Sequence, residues 1–212
     1  PRHLLSLRNS LLEATNYLYE IDPLQHHEFI YSSEFDLNNY FSHCLPLEVL
    51  KNSKSLIRDS TYDIQYHRSS AATLEFLKGK VKFFKNCNEK QAMIHHGIDG
   101  VYLLEDFEEK NSMYQMKYFL SVLMSMPAFF LDALGEPSYK DESFCKVKPY
   151  FVDEWEIIEA ASNVRDLWQQ KETHPYSGNL IPEWLIHELK EGYFKRAFEL
   201  ADKMEKYFNK IN

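Results

Sequence analysis

A mainly α protein is predicted, with a short α/β part over residues 1–68 and a bundle of about five helices over 69–212. Three observations carry this. Only 6 of the 212 residues are glycine, too few for the many tight turns of a sandwich or barrel. From Ser69 onward, apolar residues recur at three- and four-residue spacing, the period of a half-buried helix. Hydrophobic residues make up 44% of the chain, enough to bury a core and to exclude wholesale disorder.

The elements follow in order. Over residues 2–20, Leu4, Leu5, Leu11, Leu12, Thr15 and Leu18 lie at near-helical spacing, and Ile21-Asp22-Pro23 ends that helix. Residues 28–35 are aromatic and β-branched at the start and read as a strand. Pro46 opens a short helix to Leu50, and the alternation over 60–67 reads as a second strand. Ser70 caps a helix carrying Leu74, Phe76, Leu77, Val81 and Phe84. A further helix is expected from about Lys90 to Glu108, with Gly97 and Gly100 inside it. The apolar helix 113–134 contains Pro127, which should kink it, and stops at Gly135. Ser138 with Asp141, and Asp153 with Glu156, look like capping boxes. The helix after Asp153 puts Trp155, Ile158, Ala161 or Ser162, Val164 and Trp168 on one side. A loop over 174–179 precedes one last helix, 181–210, with Trp184, Leu185, Leu189, Phe194, Ala197, Phe198, Ala201, Met204 and Phe208 along its apolar face.

Charge and cysteine content narrow the classes. The formal net charge is −8 and no block of like charge dominates, so a broad nucleic-acid face is not expected, while a local basic patch stays open. Cys44, Cys87 and Cys145 are odd in number, far apart and without a CxxC, which points to a reducing, cytoplasmic setting. The charge-free run 118–131 is shorter than the ~18–20 residues of a membrane span and is expected to be a buried central helix, with no membrane involved. The chain begins at Pro1, and residues upstream of it are expected. Walker A, GxGxxG, GxSxG and HExxH motifs do not occur in the sequence.

The densest cluster of chemistry-bearing residues is 22–36, with Asp22, His26, His27, Glu28, Glu34 and Asp36. Residues i and i+2 of a strand share a face, so Glu34 and Asp36 could converge on one Mg²⁺, with His27 as a general acid or base. The bland alternative is a strand end and a solvated His turn. A second candidate is His95 with Asp99, four apart on one helix face, a spacing that suits a metal pair or a carboxylate-held imidazole; a surface histidine is the alternative.

The order helix, then Asp22-Pro23-Leu24-Gln25-His26-His27-Glu28-Phe29, then Leu45-Pro46-Leu47-Glu48-Val49-Leu50, then helical bundle, resembles the part of a nucleotidyltransferase-fold protein that follows its catalytic turn. The segment 117–139, with Leu-Gly-Glu-Pro-Ser-Tyr after a long apolar helix, is similar to the helical C-terminal domains of that superfamily. The resemblance implies Mg²⁺, a nucleoside triphosphate as substrate and transfer of a nucleotidyl group to an acceptor bound by the helices, with Glu34 and Asp36 as metal ligands. The superfamily's Gly-Ser turn does not occur in the sequence, so it lies upstream of Pro1 or the protein is a degenerate member.

Three functions are therefore expected as alternatives. The first is an Mg²⁺-dependent nucleotidyltransferase-like protein with His27, Glu34 and Asp36 at its site. The second is a non-catalytic helical interaction module, binding another protein or a second copy of itself. The third is a metal-dependent hydrolase drawing on His26, His27, His95, His96 and Asp99.

Overall fold

The computed structural model describes residues 9–10, 12–13, 16–17, 70–93, 113–138, 140–168, 181 and 183–211. They are mainly α, as the periodicity requires: α1 Ser70–Lys90, α2 Met113–Leu134, α3 Lys140–Val147, a 3₁₀ turn Lys148–Tyr150, α4 Glu156–Trp168, α5 Glu183–Leu189 and α6 Tyr193–Ile211. No strand occurs among the described residues. Within the helix expected over 2–20, the six described residues are helical and exposed, Leu12 and Tyr17 included. The expected strands, the short helix 46–50, the loop 174–179 and all but the first four residues of the helix expected from Lys90 lie outside the described residues.

The bundle is built around α2. Met116, Phe119, Leu120, Val122, Leu123, Met124, Met126, Phe129, Phe130 and Leu131 of this helix are all buried, so it is apolar nearly all round, as a helix surrounded by others must be. It packs against α1, α3, α4 and α6; α1 lies along α6, and α5 packs on α4. Two groups of helices, termed the α1/α6 and α3/α4/α5 layers, share α2 and also touch directly where α4 meets α6. The stretch Gln115–Leu134 is long and apolar enough to cross a membrane, which the charge-free run 118–131 alone is not; most of it is buried among the other helices. The helix continues through Pro127. One turn earlier, the Ser125 hydroxyl donates to the Ser121 carbonyl at 2.8 Å, the back-bonding a helical serine adopts when it faces its own turn.

Helix ends correct several sequence expectations. Lys90 ends α1 instead of starting a new helix. Gln91 takes the left-handed conformation (φ 48°), its N–H reaches the Asn88 carbonyl and that of Ala92 the Cys87 carbonyl. This is a Schellman turn with glutamine where glycine is usual. Gly135 closes α2 in the same way, at φ 86°, with Gly135 N–H on Asp132 and Glu136 N–H on Leu131. The single last helix expected over 181–210 is two helices. Lys190 (φ 63°) and Gly192 (φ 75°) turn the chain between them, and the Gly192 carbonyl accepts the first bond of α6 from Arg196 N–H at 3.0 Å. Apolar spacing continues across this corner because both helices present their apolar faces to the same core, so periodicity alone could not locate the break.

The capping box expected at Asp153 and Glu156 is also replaced, while that expected at Ser138 and Asp141 involves a side chain outside those described. The Ser138 hydroxyl donates to Glu142 at 3.1 Å and accepts from Lys146 at 2.9 Å. Before α4, a tight turn carries the chain, and the Trp155 carbonyl accepts from Ile158 and Glu159. Glu156 is thus the first helical residue and not the third, which frees its carboxylate for other partners. Of the predicted apolar faces, Trp155, Ile158, Ala161 and Val164, and Leu185, Leu189, Phe194, Ala197, Ala201, Met204 and Phe208, are buried, while Trp184 and Phe198 are half-buried against the core.

Candidate functional site

His27, Glu34 and Asp36 lie outside the described residues, as do His26, His95, His96 and Asp99. Among the described residues, no group of three or more His, Cys, Asp or Glu side chains is placed to hold a metal ion. Cys87 is buried and Cys145 exposed, both as free thiols. What the bundle offers instead is an arrangement of surface charge, built from the helices outward.

The α1/α6 layer is basic. Helix α1 carries five lysines against two glutamates, and α6 four lysines and an arginine against three acids. The pair therefore holds a formal +5 within a chain of −8. The other layer is the reverse: residues 140–168 carry four basic and seven acidic side chains, and 183–192 one and three. On α1 the outward stripe includes Lys78, Lys82 and Lys85 at i, i+4 and i+7. Lys78 bonds Glu75 at 2.8 Å and Lys85 lies 3.8 Å from Glu89; Lys82 and Lys90 make no ion pair among the described residues. Lys80 sits 4.9 Å from the Phe76 ring centroid, a cation–π placement. The sequence shows this patch only locally, as five lysines within 21 residues, and the net acidity of the whole chain hides it.

Two links cross between the layers. The Lys203 ammonium of α6 donates to the largely buried Glu154 carboxylate in the turn before α4. At the corner of α4, α5 and α6, Glu156 accepts from Lys190, and Arg196 Nη1 lies 3.7 Å from its other oxygen. The Arg196 guanidinium also donates to the Leu189 carbonyl at the end of α5, one of the acceptors a helix end leaves open. The hydrogen bond and charge of Lys190, then the charge of Arg196, hold the Glu156 carboxyl below its ordinary value of 4.5. This corner is an architectural clamp: each charge on it has a partner within the protein.

Tyr193 opens α6 beneath the layer, its ring 6.0 Å from Phe119 and 4.3 Å from Phe194. Burial, and secondarily the neighbouring Cys87 thiol, push its phenol up to about 12. It therefore stays neutral through the physiological range and serves packing.

Comparison with protein-family models, with curated proteins and with solved structures finds no match to this chain.

Proposed function

We propose that the helical bundle is an interaction module, presenting two oppositely charged layers to other macromolecules instead of carrying out chemistry itself. The sorting of charge between the layers supports this reading. Part of that sorting has an internal purpose, since Lys203 and Arg196 reach across to Glu154 and Glu156. Lys82 and Lys90 of α1 have none: both are exposed and make no ion pair among the described residues. Lys78, Lys82 and Lys85 repel along one stripe, which costs a helix ~0.2–0.5 kcal/mol per like-charged pair. Charges held against local stability are the mark of a surface kept for a partner. The test is thermal unfolding of the Lys82→Glu/Lys85→Glu double variant. If the lysines serve a partner, the melting temperature stays within about 2 °C, since free surface substitutions stay within ~0.5 kcal/mol. A fall of more than about 6 °C means that the fold itself needs them, and the reading fails.

A second reading concerns residues 1–68. The spacing of Glu34 and Asp36, within segments that resemble a nucleotidyltransferase fold, favours Mg²⁺-dependent nucleotidyl transfer, with the carboxylates holding the metal that bridges the phosphates. His27 would then act as acid or base. Calorimetric titration of a nucleoside triphosphate with Mg²⁺ into the full chain decides it. Heat of binding that Glu34→Gln/Asp36→Asn removes supports the reading, and no heat in the unaltered protein sinks it.

A further inference from the structure

We infer that the α1/α6 layer binds the phosphate backbone of nucleic acid without sequence preference, with Lys82 and its α1 neighbours as the principal contacts. The inference rests on the bundle's being an interaction module and names the module's partner. The charge is of the right sign and is concentrated. At 1.5 Å of rise per residue, Lys78, Lys82 and Lys85 stand ~6 and ~4.5 Å apart along α1, a short row of cations beside which a duplex offers one phosphate per ~3.4 Å of its axis on each strand. Lys90 at the end of α1 and Lys210 near the far end of α6 each add a cation without an ion pair among the described residues.

The acids of the layer meet part of this charge. Glu75 and Glu89 pair with Lys78 and Lys85 at the two ends of the α1 stripe and leave Lys82 between them without an ion pair among the described residues. Glu199 and Asp202 are taken up by Lys195 at 3.7 Å and Lys206 at 2.6 Å, and Glu205 lies where its charge acts on Lys78.

The type of cation sets the mode of binding. The α1 surface offers ammonium groups and no guanidinium. Lysine meets phosphate as a point charge, without the planar bidentate fork of arginine. Contacts of this kind position a protein on the backbone without reading sequence. An anionic membrane surface shares the charge, but a helix that settles there inserts large apolar side chains among its lysines. The exposed large hydrophobic residues among those described are Leu12, Tyr17, Tyr150, Val152 and Ile186, and none is on α1 or α6. The exposed positions on α1 are instead Glu75, Gly79, Lys82, Lys85, Glu89 and Lys90.

The experiment is fluorescence anisotropy of a labelled 20-base-pair DNA duplex titrated with the full chain at 50 to 200 mM salt. Binding should strengthen as salt falls, with log K against log salt sloping by about −0.9 per phosphate neutralised. In Lys82→Glu/Lys85→Glu the slope should flatten by about 2, and affinity at 100 mM salt should drop about tenfold or more. The inference is overturned if the unaltered chain shows no binding at 50 mM salt up to ~100 µM, the weak end of ordinary non-specific binding. An unchanged slope in the double variant also overturns it. So does binding to phosphatidylserine vesicles that depends on Lys82 and Lys85 when the duplex shows no such dependence. Failure here with an unchanged melting temperature in the double variant removes nucleic acid as the partner and leaves the interaction-module reading standing. Loss of the melting temperature removes that reading itself.

Discussion

Phe119 is the side chain through which the three longest packed elements meet, and truncating it tests the architecture most directly. It is 0% exposed. Its ring stands edge-to-face with Phe84 of α1 at 5.4 Å and 86°, and with Phe194 of α6 at 5.4 Å and 87°, with Tyr193 at 6.0 Å completing the cluster. A buried Phe→Ala change costs ~3–5 kcal/mol through lost transfer energy and the cavity left behind. Close packing on three helices keeps this site from collapsing, so the upper half of that range is expected. With ~2–4 °C per kcal/mol for a chain of this size, Phe119→Ala should lower the melting temperature by roughly 8–20 °C. The assay is urea and thermal unfolding followed by circular dichroism, with Phe119→Leu alongside. Leucine keeps most of the volume and loses the edge-to-face contacts, each worth ~0.5–1.5 kcal/mol, so it should fall between the two. A loss below about 1 kcal/mol for Phe119→Ala would refute the packing of α1, α2 and α6 around this ring.

Three further outcomes are expected. Gly135→Ala should destabilise by ~1 kcal/mol in denaturant unfolding, because φ 86° places a Cβ in the left-handed region although space there is open, whereas Gln91→Gly should stabilise by a similar amount for the opposite reason. Glu156 has a depressed carboxyl, so its contribution is present above its ordinary value of 4.5 and is lost as pH falls through its lower folded value; the melting temperature of the unaltered protein should therefore drop more steeply below pH 4.5 than that of Glu156→Gln, and parallel curves would contradict the clamp. In an ultraviolet titration, Tyr193→Phe should remove a phenol that ionises only near pH 12; the stabilisation tied to that neutral phenol is complete below pH 10 and declines as pH rises toward 12.

Much of the bundle was legible because it depends on local rules. The stripe of Leu77, Val81 and Phe84, the all-round apolar character of 118–131 and the Gly135 stop each follow from one short window of sequence, and each has its expected place in the fold. The boundary at Lys90 was missed because Gln91 does what glycine usually does at a helix end, and a left-handed glutamine leaves no signal. The candidate residues Glu34, Asp36, His27, His95 and Asp99 were legible only as spacings, and a spacing becomes a site only when the fold closes around it.

The sequence by itself determined the fold class and which side of each helix turns inward, because the 3.6-residue period of apolar side chains is a property of each segment alone. Only the tertiary structure decided which helices share a face. That choice separated the lysines of α1 and α6 from the carboxylates of α3, α4 and α5. Net charge is a sum over the chain and carries no positions, so a basic surface on an acidic protein becomes visible only once packing has set α1 beside α6.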